Sequence, residues 1–202
     1  MGLSGISPID RIRSTWLCGR TGRMIDADAV ARKWYNLHVK HGNLSRRFFD
    51  DPLLENRIGA IGEIAFGTKY DVMKYWLGLE ERPYGDDKDF DIPGLGTFDV
   101  KTAQKNPIWL LAKAGKAKCD FYVLVRYFSD QDVRILGWEY GANLAKVKPE
   151  DKGGKGIMSH FIKTSELLPM SILADMIEAA LRKPELKVQL SLPFLSKKGG
   201  DP

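Results

Sequence analysis

The chain has 202 residues, 44% of them apolar, which suits one folded domain with a real core and excludes the disordered class. No apolar run approaches the roughly 18–20 residues of a membrane span, and the N-terminal "MGLSGISPIDRIRSTW" lacks the apolar stretch of a signal peptide. Two cysteines, Cys18 and Cys119, are too few for a disulfide framework or a cysteine-rich zinc site, and a net charge of +5 leans mildly towards polyanions, so a cytoplasmic protein is expected.

In chain order, residues 26–44 carry apolar side chains at helical spacing, with acids in the first turn. Residues 55–77 read as a longer helix. Strands are expected at 89–93, 97–102 and 108–111, and at 120–128 and 132–138, the last two paired across Ser129-Asp130-Gln131. Residues 167–183 form a further helix, with Pro169 tolerable only in its first turn. The order implies an α/β (α+β) domain on a mixed central sheet flanked by helices. Residues 1–186 are expected to be one domain with a helical extension over 1–54, and residues 187–202 a tail.

The stretch "KDFDIPGLGTFDVKTAQ" (88–104) carries acids on both arms of a hairpin. Alternation puts Phe90 and Ile92 on one face of the first arm, and Phe98 and Val100 on one face of the second. Pairing Ile92 with Phe98 and Asp91 with Asp99 matches apolar with apolar and leaves Gly94-Leu95-Gly96 as the loop. Like charges directly opposite are destabilising, so this register requires a raised pKa, a neighbouring cation such as Lys101, or a bound metal. Paired carboxylates are ligands that Mg²⁺ and Mn²⁺ favour. An exposed hairpin with acids and lysines on its solvent face is the plain alternative.

A third acid sits upstream. Glu63 lies within "IGAIGEIAFG", with Gly59 and Gly67 four residues to either side and Gly62 beside it. Each interior glycine costs a helix about 1 kcal/mol. Three of them around one carboxylate imply close packing.

Taken together, "GAIGEIAF", "DFDIPGLGTFDVKT" and "CDFYVLVRY" resemble the PD-(D/E)XK nuclease superfamily, closest to small phage and prophage-type endonucleases, over roughly residues 55–138. The resemblance implies a restriction-endonuclease-like core: a helix with an acid, a strand with an aspartate, a strand with (D/E)-x-K, then a helix and a further strand. Asp99-Val100-Lys101 stands at (D/E)-x-K, Asp91 at the preceding aspartate and Glu63 at the helix acid. Phe90 replaces the proline often found before that aspartate. Asp89 shares the face of Asp91 and competes with it as the ligand.

It further implies Mg²⁺- or Mn²⁺-dependent hydrolysis of DNA phosphodiesters, in repair, recombination or phage DNA processing. Asp91, Asp99 and Glu63 would bind the metal, with the Val100 carbonyl as a further ligand. Lys101 would orient or help deprotonate the attacking water. Gln104, Lys105, Lys113, Lys116 and Lys118 are candidate DNA contacts. A homodimer suits an enzyme that cuts both strands. A nuclease-fold protein that binds DNA or a replication partner without cutting is the alternative.

His38 and His41 could share a helical face but have no third ligand nearby, and Trp109, Trp138 and Tyr140 fit core packing better than base stacking. In the tail, "QLSLPF" resembles the peptide that binds the bacterial sliding clamp. There Leu190, Leu192 and Phe194 would fill apolar pockets and Gln189 would bond at the rim. A plain edge strand would show the same alternation.

Overall fold

In the computed structural model, the described residues are 25–40, 51–78, 88–104, 106–152, 154 and 156–182. Helix α1 spans Ala27–Lys40 and helix α2 spans Pro52–Lys69. Asp26 starts the first, its Oδ1 accepting from the backbone N–H groups of Asp28 (2.9 Å) and Ala29 (3.2 Å). Asp51 starts the second in the same way, accepting from Leu53 and Leu54 at 3.0 Å each, with Pro52 in the first turn where no N–H is needed. The second helix begins and ends earlier than its apolar pattern suggests. Asp71, at φ 53°, takes the chain out of helical geometry, and a 3₁₀ turn at Met73–Tyr75 follows.

Strands β1 (Phe90–Ile92), β2 (Gly96–Gln104), β4 (Phe121–Ser129) and β5 (Asp132–Tyr140) make a mixed sheet in the order β1-β2-β4-β5. The β1–β2 and β4–β5 pairs are antiparallel, and β2–β4 is parallel. Between β2 and β4 the chain leaves to form β3 (Trp109–Lys113), which pairs antiparallel with β6 (Ser159–Lys163) in a separate two-stranded sheet. The short α3 (Gly141–Leu144) follows β5, and α4 (Met170–Arg182) closes the described chain.

The faces of the main sheet are covered differently. Phe98, Val100, Val123 and Val125 pack with Ile61, Ile64 and Phe66 of α2 and with Leu173 and Ile177 of α4. Val30 of α1 belongs to the same core, so this part of the expected N-terminal extension is integral to the fold. Tyr122 and Leu124 point the other way and pack with Leu110 and Ala112 of β3 and Ile162 of β6. The expected mixed sheet is present. Its long helices collect on one face, and the small sheet covers the other.

Arg57 of α2 ties the helices to the β4–β5 turn. Its Nη1 donates to Asp130 at 2.8 Å and its Nε to Asp28 of α1 at 2.6 Å. The guanidinium holds the Asp130 carboxyl below its usual range, outweighing the opposing effect of burial. A depressed carboxyl stabilises the fold above its unfolded pKa of about 3.9, and that contribution is lost as pH falls through the folded value. Asp130→Asn is therefore expected to cost about 1 kcal/mol at neutral pH, since both partners are partly exposed. Denaturant melts of wild type and variant should converge on acidification below the carboxylate range; a constant difference across pH would contradict the assignment.

Candidate active site

The register of the β1–β2 hairpin decides which acids meet. Phe90 pairs with Phe98, Asp91 with Thr97 and Ile92 with Gly96. This is two residues away from the expected register of Ile92 with Phe98 and Asp91 with Asp99, and the shift has a local cause. Pro93 and Gly94 occupy the centre of a turn closed by the Leu95 N–H donating to the Ile92 carbonyl at 3.0 Å. Gly94 has φ 83°, the value a type II turn needs at its third residue, and proline suits the second. The loop is thus Pro93-Gly94-Leu95. Phe66 packs edge-on against Phe90 (centroids 5.2 Å) and beside Phe98 (5.6 Å), which secures the register from the core side.

The consequence is a correction at the acid before D-x-K. Asp91 faces solvent near the hairpin tip and pairs with Lys88 at 3.3 Å. Asp89 takes the place beside Asp99. Its backbone is held on both sides, its N–H donating to the Phe98 carbonyl at 2.7 Å and its carbonyl accepting from Leu77 at 2.8 Å. Its carboxylate accepts from the Val100 N–H at 2.7 Å, replacing the backbone partner that β1 no longer provides. The cluster sits where the two strands part.

Asp99 is buried, and the Lys101 Nζ lies 2.7 Å from its Oδ2. Burial alone would lower the Lys101 pKa, but the carboxylates of Asp99 and Asp89 together outweigh it and raise the value. The lysine is therefore held protonated. On the adjacent strand Asp99 pairs with Tyr122, whose hydroxyl is pushed up first by burial and then by the Asp99 charge. Cys119, buried next to it, is pushed up to about 12 by burial and by Asp99 and Asp89, so it stays a thiol.

The other expected residues fall in different places. Glu63 is buried and accepts from the Trp76 Nε1 at 2.6 Å. It rides on α2, which covers the face of β2 opposite Asp99 and Lys101. Among the described residues no three of His, Cys, Asp and Glu come together as a metal-holding group. The close packing implied by the glycines is present at Gly62 and Gly67: a Cβ at Gly62 would lie 1.8 Å from the Thr102 Oγ1, and one at Gly67 2.2 Å from the Met73 Sδ. Gly59 has only ordinary contact, with Trp34 at 3.7 Å.

Gln104 ends β2 on the face opposite Lys101 by strand alternation. Lys113, Lys116 and Lys118 are exposed on β3 and the turn after it, and the Lys116 carbonyl accepts from the Tyr122 hydroxyl at 3.3 Å, which places that turn beside the cluster. Lys105 and the tail residues Gln189, Leu190, Leu192 and Phe194 lie outside the described residues. Trp138 is fully buried, as core packing requires.

The donor set suits a small hard cation. Mg²⁺ is commonly held by one or two carboxylates together with waters and substrate phosphate, and Asp89 and Asp99 supply two. The Val100 N–H turns to the β1 side, and in an extended strand its carbonyl points the same way, adding a third oxygen. No helix of the described chain is long and apolar enough to cross a membrane. Comparison of the chain with protein-family models, with curated proteins and with solved structures finds no match.

Proposed function

We propose that the chain is a metal-dependent DNA endonuclease whose reacting centre is Asp89, Asp99 and Lys101. The observation that carries this reading is the meeting of two carboxylates and a protonated lysine at the parting of β1 and β2. The order of acid-bearing helix, aspartate strand and D-x-K strand, with a further strand parallel to the last, supports a PD-(D/E)XK-like core. The segment before that further strand is the departure, since it carries β3 where the resemblance implies a helix.

Asp89 and Asp99, with the Val100 carbonyl, would hold Mg²⁺ or Mn²⁺. Bound there, the ion would polarise a phosphodiester oxygen and lower the pKa of a water. Lys101, held protonated by Asp99 and Asp89 before a metal binds, is a donor rather than a base in this scheme. It offers a hydrogen bond and a positive charge to the phosphate as negative charge builds in the transition state. Lys116 and Lys118, on the neighbouring turn, would draw the backbone in, at a cost that rises with salt. Glu63 acts at a distance in this scheme, through its bond to Trp76 at the outer edge of β1.

Incubation of plasmid, single-stranded and branched DNA with the protein and Mn²⁺ tests the reading. Wild type should cut at least one form, and Lys101→Met should lower the rate by about 10²–10³. A wild-type protein that binds these DNAs but cuts none would instead identify a non-cleaving DNA-binding protein.

A further inference from the structure

On the sheet face that carries Asp99 and Lys101, two arginines stand directly opposite each other. Strand alternation places Arg126 on the face of Tyr122 and Leu124, and Arg126 pairs across the β4–β5 ladder with Arg134. Like charges so placed repel. Arg134 has an acid, Asp132, at 3.0 Å from its Nε. Arg126 has none among the described residues, and its Nε–H is buried without an acceptor.

Arg126 is nevertheless held firmly. Its Nη1 donates to the Asn106 side chain at 3.0 Å, and its guanidinium lies over the Phe128 ring at 4.3 Å from the centroid. Phe128 is 46% exposed, unusual for a phenylalanine with no core role, and the Arg134 guanidinium reaches the same ring at 6.0 Å. Burial and the Arg134 charge pull the Arg126 pKa down, outweighing the opposing charge of Asp132. A guanidinium orientated by stacking, set against a second one and with no carboxylate of its own in ion-pair contact, is a receptor for an anion with several acceptor oxygens.

Its position names the anion. Lys101 pairs with Leu124, and Arg126 lies two residues further along the same face. With neighbouring strands about 4.8 Å apart and a rise of about 3.3 Å per residue, the two positions are roughly 8 Å apart, close enough for one nucleic-acid strand to reach both side chains. We propose that Arg126 and Arg134, steadied by Asn106 and Phe128, form a subsite for a phosphodiester of the substrate strand beside the one at Lys101. The inference rests on the nuclease reading of the Asp89–Asp99–Lys101 cluster. It adds a substrate contact to that cluster.

The test is the anisotropy of fluorescein-labelled DNA, duplex and single-stranded, titrated with protein in EDTA and in Ca²⁺ over a range of salt. Arg126→Gln is expected to weaken binding about tenfold and to reduce the salt slope by about one. Arg134→Gln should act similarly, and the double variant by less than the product, since the two would hold one phosphate. Thermal melting of Arg126→Gln should stay close to wild type, because relief of the repulsion offsets the lost Asn106 bond and Phe128 stacking; this separates lost binding from lost fold. Wild-type affinity and slope in Arg126→Gln, or a wild type that binds no DNA, would overturn the subsite. So would weakening confined to 5′-phosphorylated strands, which would indicate a terminal phosphate. Cleavage is assayed separately with Mn²⁺: failure of the subsite leaves a Lys101-dependent nuclease standing, and a wild type that binds through Arg126 but never cuts removes only the nuclease reading.

Discussion

Asp89→Asn should lower DNA cleavage as severely as Asp99→Asn, by about 10²–10³, whereas Asp91→Asn should stay within about twofold of wild type. The contrast follows from position. Asp91 stands in solvent with Lys88 at 3.3 Å, an exposed pair worth little to fold or function. Asp89 lies beside Asp99 and within the electrostatic reach of Lys101. Asparagine is the informative replacement because it keeps an oxygen to accept from the Val100 N–H while removing the charge. The hairpin should therefore hold, and equal melting temperatures with lost cleavage would place the defect in the chemistry. Cleavage lost in Asp91→Asn and kept in Asp89→Asn would reverse the assignment and favour the register in which Asp91 opposes Asp99.

That alternative is instructive, because alternation along the two arms cannot tell the registers apart. They differ by two residues, and a shift of two returns every side chain to its own face. Phe90 and Ile92 stay inward in both, and an aspartate faces Asp99's side in both. The deciding information sat in the turn: Pro93-Gly94 prefers the centre of a type II turn, which moves the loop back by one residue and the pairing by two. Strands β2, β4 and β5 were legible because their β-branched and aromatic runs are long and bounded by turns. Strand β6, Ser159–Lys163, was not, since five residues with two buried polar side chains show little periodicity before a partner is known. The arginine pair was within reach of the same reasoning, since a turn at Ser129-Asp130-Gln131 sets Phe128 against Asp132 and so Arg126 against Arg134, which is the observed pairing. The Asn106 bond and the stacking on Phe128 were not, because they depend on where the chain between β2 and β3 packs.

The glycines around Glu63 can be sorted by a pair of substitutions with opposite signs. Gly59→Ala should stabilise the protein by about 0.4–1 kcal/mol, since alanine restricts the unfolded chain and its methyl meets only Trp34 at ordinary contact distance. Gly62→Ala should destabilise it by about 2–3 kcal/mol, lowering the melting temperature by roughly 4–12 °C, despite the same gain in helix propensity. Its methyl would lie 1.8 Å from the Thr102 Oγ1 and 2.9 Å from the Thr102 Cβ, and neither a rotamer change nor a flexible chain end can clear the second contact. Relief requires α2 to move off β2. Thr102→Ala in the Gly62→Ala background should therefore restore part of the stability, because it removes the Oγ1 and Cγ2 but leaves the Cβ. The same movement would displace the strand that carries Asp99 and Lys101, so cleavage by folded Gly62→Ala should fall below wild type while Gly59→Ala cleaves normally. Equal stabilisation by both alanines, measured by calorimetry, would mean that α2 and β2 are less closely packed than the Gly62–Thr102 approach indicates.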